Sequence, residues 1–335
     1  MKLETKRITQ VEKLPADWDL PAEEYFQTKE FLKHCHEYNH CRQRYYVMMR
    51  DGGFAAGAVV YTLKLDLLTF LRVPSPISMQ IIGIPCSVSA PGLLGEHEEI
   101  SAMTRCLMSR EAGFLVGLNL GAPPDAAGII PGRTLPSVAM NCRFASWEDY
   151  RDVLRSDYRR RLDRLVSTWK NAKAETGPCD RFDGRMYKLY LEVYKRSSAK
   201  LEKLSLEFFA NLPAPFSLTT YHSGRSLLGW HICAAWKNRF YFFMGGMDYR
   251  YGSRFNTYFN LLNGVLKEAI RSGAHTLDWG QTAETPKTRM GGRLVEKQMF
   301  AYHRSSLFRS LVDKFRDKLE YKGKAAETRV FRGNV

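Results

Sequence analysis

The chain has 335 residues, with 50 Lys+Arg against 35 Asp+Glu and a formal net charge of +15. A hydrophobic share of 44% with 25% charged residues fits a globular chain and excludes a mostly disordered one; the length predicts about two domains of ordinary size. The longest apolar-leaning run, FAAGAVVYTL at 54–63, is well short of the roughly 20 residues of a bilayer span. The start, MKLETKRITQ, has no apolar signal-like core, so no membrane span and a cytoplasmic location are expected.

Near the start, His34, Cys35, His36, His40 and Cys41 cluster. His36 and His40 are spaced i, i+4 on an expected helix, but no second Cys/His pair stands at a finger-like distance, and no metal is expected. The seven cysteines are scattered and read as free thiols of a reducing compartment. YYVMMRDGGFAAGAVVYTL (45–63) is an apolar run, an Asp51-Gly52-Gly53 turn and a second run; the glycines supply the positive φ of a hairpin. A helix and a strand follow in ISAMTRCLMSREAGFLVGLNLGAP (100–123).

The same order returns. FSLTTYHSGRSLLGWHICAAW (216–236) is a second hairpin around Ser223-Gly224, and YFNLLNGVLKEAIRSGAHTLDWGQ (258–281) a second helix and strand. This predicts a duplicated α/β unit. Between the copies, 146–175 carries Tyr150, Leu154, Tyr158, Leu162, Leu165 and Trp169 at helical spacing, with Ser146 as its cap. Its arginines 155, 159, 160, 161 and 164 form a basic stripe suited to solvent or to a phosphate backbone. Two more helical segments are expected in 186–213 and an amphipathic helix in 305–324. His231 and Cys233, on one face of a strand, read as core packing.

The helix SDYRRRLDRLVSTWKNA (156–172) before a second α/β half, and the segment LDWGQTAETPKTRMGG (277–292), resemble the Fem-type branch of the GNAT-fold N-acyltransferases. The resemblance covers about 18–310. It implies an α/β fold of two tandem GNAT-like halves with mixed central sheets flanked by helices. The expected organisation is an N-terminal half at 1–145, a basic connecting helix at 146–185, a C-terminal half at 186–320 and a disordered basic tail at 321–335.

It further implies acyl or aminoacyl transfer to an amine. The donor would be acyl-CoA, an acyl carrier protein bearing phosphopantetheine, or aminoacyl-tRNA, the last being the expected nucleic-acid contact. The acceptor would be a small-molecule, peptide or glycan-precursor amine. One departure stands out: the glycine-rich loop that cradles a pyrophosphate through backbone N–H groups is replaced by MGGMDYRYGSRFNTYF (244–259), which puts free CoA in question.

Attack of an amine on an activated carbonyl needs a neutral amine, a stabilised oxyanion and a proton route. Candidate catalytic residues are Asp278, on the strand face opposite Leu277 and Trp279; Tyr249 and Tyr251, as proton donors in the loop entering a helix; and Glu284, as a base. Candidate donor-binding residues are Lys287 and Arg289 in the loop after that strand, Arg254 at a helix start, and Gly280, Gly291 and Gly292 for close backbone approach. The expected function is thioester-dependent N-acyl transfer. The alternatives are aminoacyl-tRNA-dependent transfer and a non-catalytic binding protein of the same fold.

Overall fold

A computed structural model describes residues 3–66, 76–86, 88–197, 202–323 and 328–333, apart from the side chains of 64–66, 76–77 and 253–254. Along the chain run β1 (Leu3–Ile8), α1 (Lys29–Tyr38), β2 (Arg44–Arg50), β3 (Gly53–Asp66), β4 (Pro76–Ile82), β5 (Leu93–Gly95), α2 (His97–Arg110), β6 (Phe114–Leu120) and β7 (Ile130–Asn141). Then follow α3 (Trp147–Val153), α4 (Ser156–Ser167), β8 (Lys173–Gly177), α5 (Gly184–Arg196), α6 (Leu206–Ala210), β9 (Phe216–Ser223), β10 (Ser226–Trp236) and β11 (Arg239–Met247). The last elements are α7 (Gly252–Phe255), α8 (Thr257–Arg271), β12 (Thr276–Gln281), α9 (Glu284–Thr288), β13 (Arg293–Tyr302), α10 (Ser306–Lys314) and α11 (Arg316–Leu319). Among the described residues no helix is long and apolar enough to cross a membrane.

Two compact units form, Met1–Leu135 with Glu296–Gly323, and Pro136–Val295 with Lys324–Val335. Strand order in the first is β1-β2-β3-β4-β6-β13, and in the second β8-β9-β10-β11-β12-β7. Each runs antiparallel through three pairings, parallel at the fourth and antiparallel at the fifth. The expected α/β duplication is thus present as matching topologies. The sixth strand of each sheet comes from the far half of the sequence, 296–302 for the first and 136–141 for the second, an exchange that contiguous halves did not foresee.

The agreement extends to single residues. The parallel ladder of the first unit ends at Gly117, and that of the second at Asp278. Two residues later the chain turns left-handed, at Asn119 (φ 63) and at Gly280 (φ 68). Both strands carry an irregularity there: Gly117 and Leu120 face Phe300 and Gln298, while Asp278 and Gln281 face Ala139 and Ser137. Such a bulge bends its strand and re-aims side chains.

In the second unit alternation along β10 decides the layers. Trp230 donates its indole N–H to Met186 O of α5 at 2.9 Å, and His231, on the other face, meets Glu268 of α8 at 3.1 Å. A strand covered on both sides is buried along its length, and β10 is buried from Leu228 to Ala234, with His231 satisfied by Glu268. The core of this unit runs through Val138, Met140, Leu262, Val265, Leu266, Leu277 and Trp279; that of the first through Ala58, Val60, Ile82, Met103, Leu107 and Phe300.

The connecting segment is two helices rather than one. Leu154 and Arg155 are extended (ψ 143 and 150), because Leu154 bridges to Phe331 and Arg155 N–H donates to Val330 O at 3.0 Å. The described part of the C-terminal tail therefore differs from its sequence reading: Val330 is buried and Phe331 packs on the core, so two apolar residues hold it to the second unit. Residues 324–327 and 334–335 lie outside the described part.

Candidate active site

The site is built at the end of β12. Asp278 Oδ1 accepts the Gly280 N–H at 2.6 Å, a carboxylate-to-backbone bond that fixes the turn two residues on. Thr282 (φ 62) and Ala283 (φ 47) continue the left-handed backbone of Gly280. For a β-branched residue this conformation costs on the order of 1–3 kcal/mol and needs outside support. Lys287 supplies it: its Nζ donates to Gln281 O at 2.7 Å and Gly280 O at 3.4 Å.

Lys287 does not lie in an open loop, as expected from sequence. It is on the short helix α9 and only 2% exposed. Pro286 fits the first turn of α9, where its missing N–H has no intrahelical acceptor. Burial pulls the ammonium pKa down to about 7, although the Asp278 and Glu284 charges push it up. Asp278, Gly280, Glu284 and Lys287 thus belong to one turn, with a lysine poised between its charged and neutral forms at neutral pH.

The other candidates sit elsewhere or have other partners. A Cβ on Gly291 (φ 98) would lie 2.3 Å from the Phe331 ring, and one on Gly292 would lie 2.4 Å from Val138; both glycines admit a close packing neighbour. Arg289 is exposed. Burial, then the Arg289 charge, lowers the pKa of Arg161, whose guanidinium lies over the Phe259 ring at 5.1 Å. The side chain of Arg254 lies outside the described residues.

Tyr249 and Tyr251 follow β11 in the loop where a pyrophosphate cradle would stand. Asp248 is gripped there by the Arg250 guanidinium, at 2.6 Å. The Arg196 guanidinium covers the Tyr249 ring at 4.2 Å, and burial raises the Tyr249 pKa. Tyr251 packs edge-on to Phe255 at 5.8 Å, with its hydroxyl 3.5 Å from Ser226 Oγ. The loop then forms the single turn α7 and a left-handed Asn256 (φ 47) ahead of α8.

The ligand-type grouping that assembles is His231, Cys233 and Glu268, whose ligand atoms lie within 4.8 Å of one another. Hydrogen bonding already serves it, since Glu268 Oε1 meets both His231 Nε2 and Thr219 Oγ1 (3.1 and 2.8 Å). Burial raises the Cys233 pKa well above its ordinary value, which disfavours the thiolate a metal needs. Sequence reading missed Glu268; its signal is a carboxylate on the helix face that carries Leu261 and Val265. His34 is buried, its ring tilted against Tyr38 with centroids 5.1 Å apart, and His36 is exposed.

Residues 152–288 match the family model described as an acetyltransferase (GNAT) domain. That stretch is a GNAT acyltransferase domain. Among solved structures the chain is similar to FemX, at 11% identity over 92% of this chain and 100% of that one, with a TM-score of 0.58. It is also similar to L-PGS from Bacillus licheniformis (8% identity, 88% and 96% coverage, TM-score 0.53). A tandem GNAT protein from the clavulanic acid biosynthesis pathway shares 9% identity over 90% and 98%, with a TM-score of 0.51. At these identities the likeness is one of fold, and it extends the tandem GNAT architecture over both units. No curated protein matches the chain in sequence. The GNAT match spans the strand, turn and short helix that hold Asp278, Glu284 and Lys287.

Proposed function

We propose that this GNAT-fold acyltransferase moves an acyl group from a thioester to an amine by direct attack, at the opening where β11 and β12 part. The observation that carries the reading is the buried Lys287 beside Asp278, just past the last paired residues, Tyr241 and Asp278. The amine nitrogen bonds to the thioester carbonyl carbon, and the C=O electron pair moves onto oxygen. Collapse of this intermediate breaks the C–S bond. Asp278 takes the proton released by the attacking amine, which ends on the departing thiolate. Lys287 is the positioning residue: it fixes the turn and sets a positive charge near the developing oxyanion. Gly280 supplies the left-handed turn, and Glu284 tunes Lys287.

Two features favour a phosphopantetheinyl carrier protein over free acyl-CoA. The loop before α8 has its carboxylate, Asp248, only 7% exposed where glycines would cradle a pyrophosphate. The Arg289 charge adds to burial in lowering the Arg161 pKa, and such cations suit the acidic surface of a carrier protein. A small-molecule, peptide or glycan-precursor amine is the acceptor class. Seven free cysteines suit a cytoplasmic setting.

The basic α4 supports a second reading, with aminoacyl-tRNA as donor, since Arg160 and Arg164 are exposed on it and Arg155 just before it. Acyl-CoA, acyl-carrier and aminoacyl-tRNA panels, assayed by intact mass for a new amide, test both. Transfer from the carrier alone is expected; a tRNA donor would instead show binding that weakens steeply with salt. No new amide from any donor, with the acceptor classes in excess, would sink the proposal.

A further inference from the structure

The α10–α11 segment has no buried residue and presents a row of large apolar side chains to solvent: Leu307 74%, Phe308 43%, Leu311 50%, Phe315 41% and Leu319 50% exposed. Helical periodicity persists through the junction, because Phe315 N–H donates to Leu311 O and Leu319 N–H to Phe315 O, both at 3.2 Å. At 3.6 residues per turn these five side chains fall within an arc of about 120°. On the same projection Lys314 falls at one edge of that arc and Lys318 just inside it, while Arg316 and Arg309 fall about 60–80° beyond its other end. Between 304 and 322 the sequence has six Lys/Arg against three Asp/Glu.

The segment is fixed to the first unit at its start. Phe308 packs on Phe114 at 5.7 Å and on His303 at 4.7 Å, and Arg309 Nη1 donates to the carbonyls of His303 and Arg304 at 2.8 and 2.9 Å. Leu307, Leu311, Phe315 and Leu319 point away from such support. An apolar arc with two phenylalanines and lysines along one edge matches a helix lying in the plane of a lipid surface.

We propose that α10–α11 is a membrane-surface docking site that takes anionic lipid headgroups. Charge decides between this and self-association: a second copy would bring two net-cationic segments together, whereas an acidic lipid surface offers the opposite sign. The apolar arc inserts at the headgroup–acyl boundary, and Lys314 and Lys318 reach the phosphates with their stems along the apolar surface. One short helix gives reversible binding, dependent on lipid composition and salt. This site is separate from the acyl-transfer chemistry and does not depend on it.

Flotation of the full chain with phosphatidylglycerol/phosphatidylcholine vesicles, against pure phosphatidylcholine vesicles, tests it. The expected result is recovery with the anionic vesicles alone, falling about tenfold between about 0.1 M and about 0.5 M salt. Leu311→Ser with Phe315→Ser, and separately Lys314→Glu with Lys318→Glu, should each lower the bound fraction about tenfold with the melting temperature unchanged. Absence of binding to anionic vesicles would overturn the proposal, as would equal binding to both kinds. So would a concentration-dependent dimer that Leu311→Ser dissolves in a protein that ignores vesicles.

Discussion

At the end of the first unit's parallel ladder stands Gly117, and at the end of the second unit's stands Asp278. Around these two residues the backbones agree, down to the left-handed residue two positions on and the irregular pairing with the sixth strand. The contents differ. In the first unit the Phe300 ring fills the space over Gly117, where a Cβ would come within 2.3 Å, and Asn119 is neutral, donating to Val88 O at 2.8 Å. In the second unit a carboxylate and a buried lysine occupy the matching turn. A duplicated backbone opens two strands in either copy, but a buried ammonium is costly, and among the described residues it is the copy with the GNAT match that carries one.

The sharpest way to break this comparison is Lys287→Ala. If the charged turn carries the chemistry, transfer should fall by about 10²–10³, the usual effect of removing an oxyanion-stabilising group, in single-turnover assays. Stability should respond through linkage. The folded pKa of Lys287 is depressed to about 7, so between about pH 7 and pH 10 the unfolded chain binds the extra proton and stability rises with pH. Below that window the full cost of burying the charge is present. Urea titrations should therefore show the wild type gaining on Lys287→Met as pH climbs through it. Parallel pH dependence of the two proteins would mean that the lysine is solvated.

Glycine substitutions then separate packing from turn geometry. Gly117→Ala should destabilise by about 1–3 kcal/mol, because the Phe300 ring must shift, with transfer per folded molecule unchanged. Gly280→Ala meets no closer neighbour than Phe242 O at 3.6 Å and costs only about 1–2 kcal/mol of left-handed strain, yet it moves the carbonyl that Lys287 holds. Its transfer rate should fall more than its melting temperature suggests. The reverse ranking in activity would shift the chemistry to the first unit.

Much of the scaffold was legible because hairpin turns and helix punctuation are local. Asp51-Gly52 at φ 49 and 89 and Gly224 at φ 57 turn where their sequences indicate, and Ser146 caps α3 through the Asp149 N–H at 3.0 Å. Asp278 and Lys287 were legible as a pair near a strand end. The burial of Lys287 was not, because it depends on Gln281 and Gly280 offering their carbonyls from a left-handed turn. The exchanged sixth strands and the docking of Val330 and Phe331 are long-range pairings, and no periodicity reports them. Gly291 and Gly292 looked like ligand-approach glycines because the Phe331 ring and Val138 are distant in sequence.

Charge in the first unit gives a third test. Burial pushes the Glu111 carboxyl up, but hydrogen bonds from Arg44 at 2.8 Å and Tyr46 at 2.6 Å outweigh it and hold the pKa below the ordinary range. A depressed carboxylate contributes stability that is present above its unfolded pKa and is lost as pH falls through the folded value. Glu111→Gln should lower stability by about 1–3 kcal/mol at neutral pH, with the gap closing in acid and transfer unaltered. A loss of transfer in this variant would show the first unit's ion pair to be more than structural.

The smallest effects are expected in the loop where the sequence pointed to proton donors. Tyr249 lies under the Arg196 guanidinium, and Tyr251 is edge-on to Phe255 with a hydroxyl at the limit of contact with Ser226. Among the described residues neither hydroxyl has a hydrogen bond to Asp278, Glu284 or Lys287. Tyr249→Phe and Tyr251→Phe keep the ring and remove only the hydroxyl, so each should change the turnover number by less than about twofold, against about 10²–10⁴ for loss of a general acid. A hundredfold loss in Tyr249→Phe would bring the β11–α8 loop to the reacting thioester and make its hydroxyl, rather than solvent or Asp278, the source of the leaving group's proton.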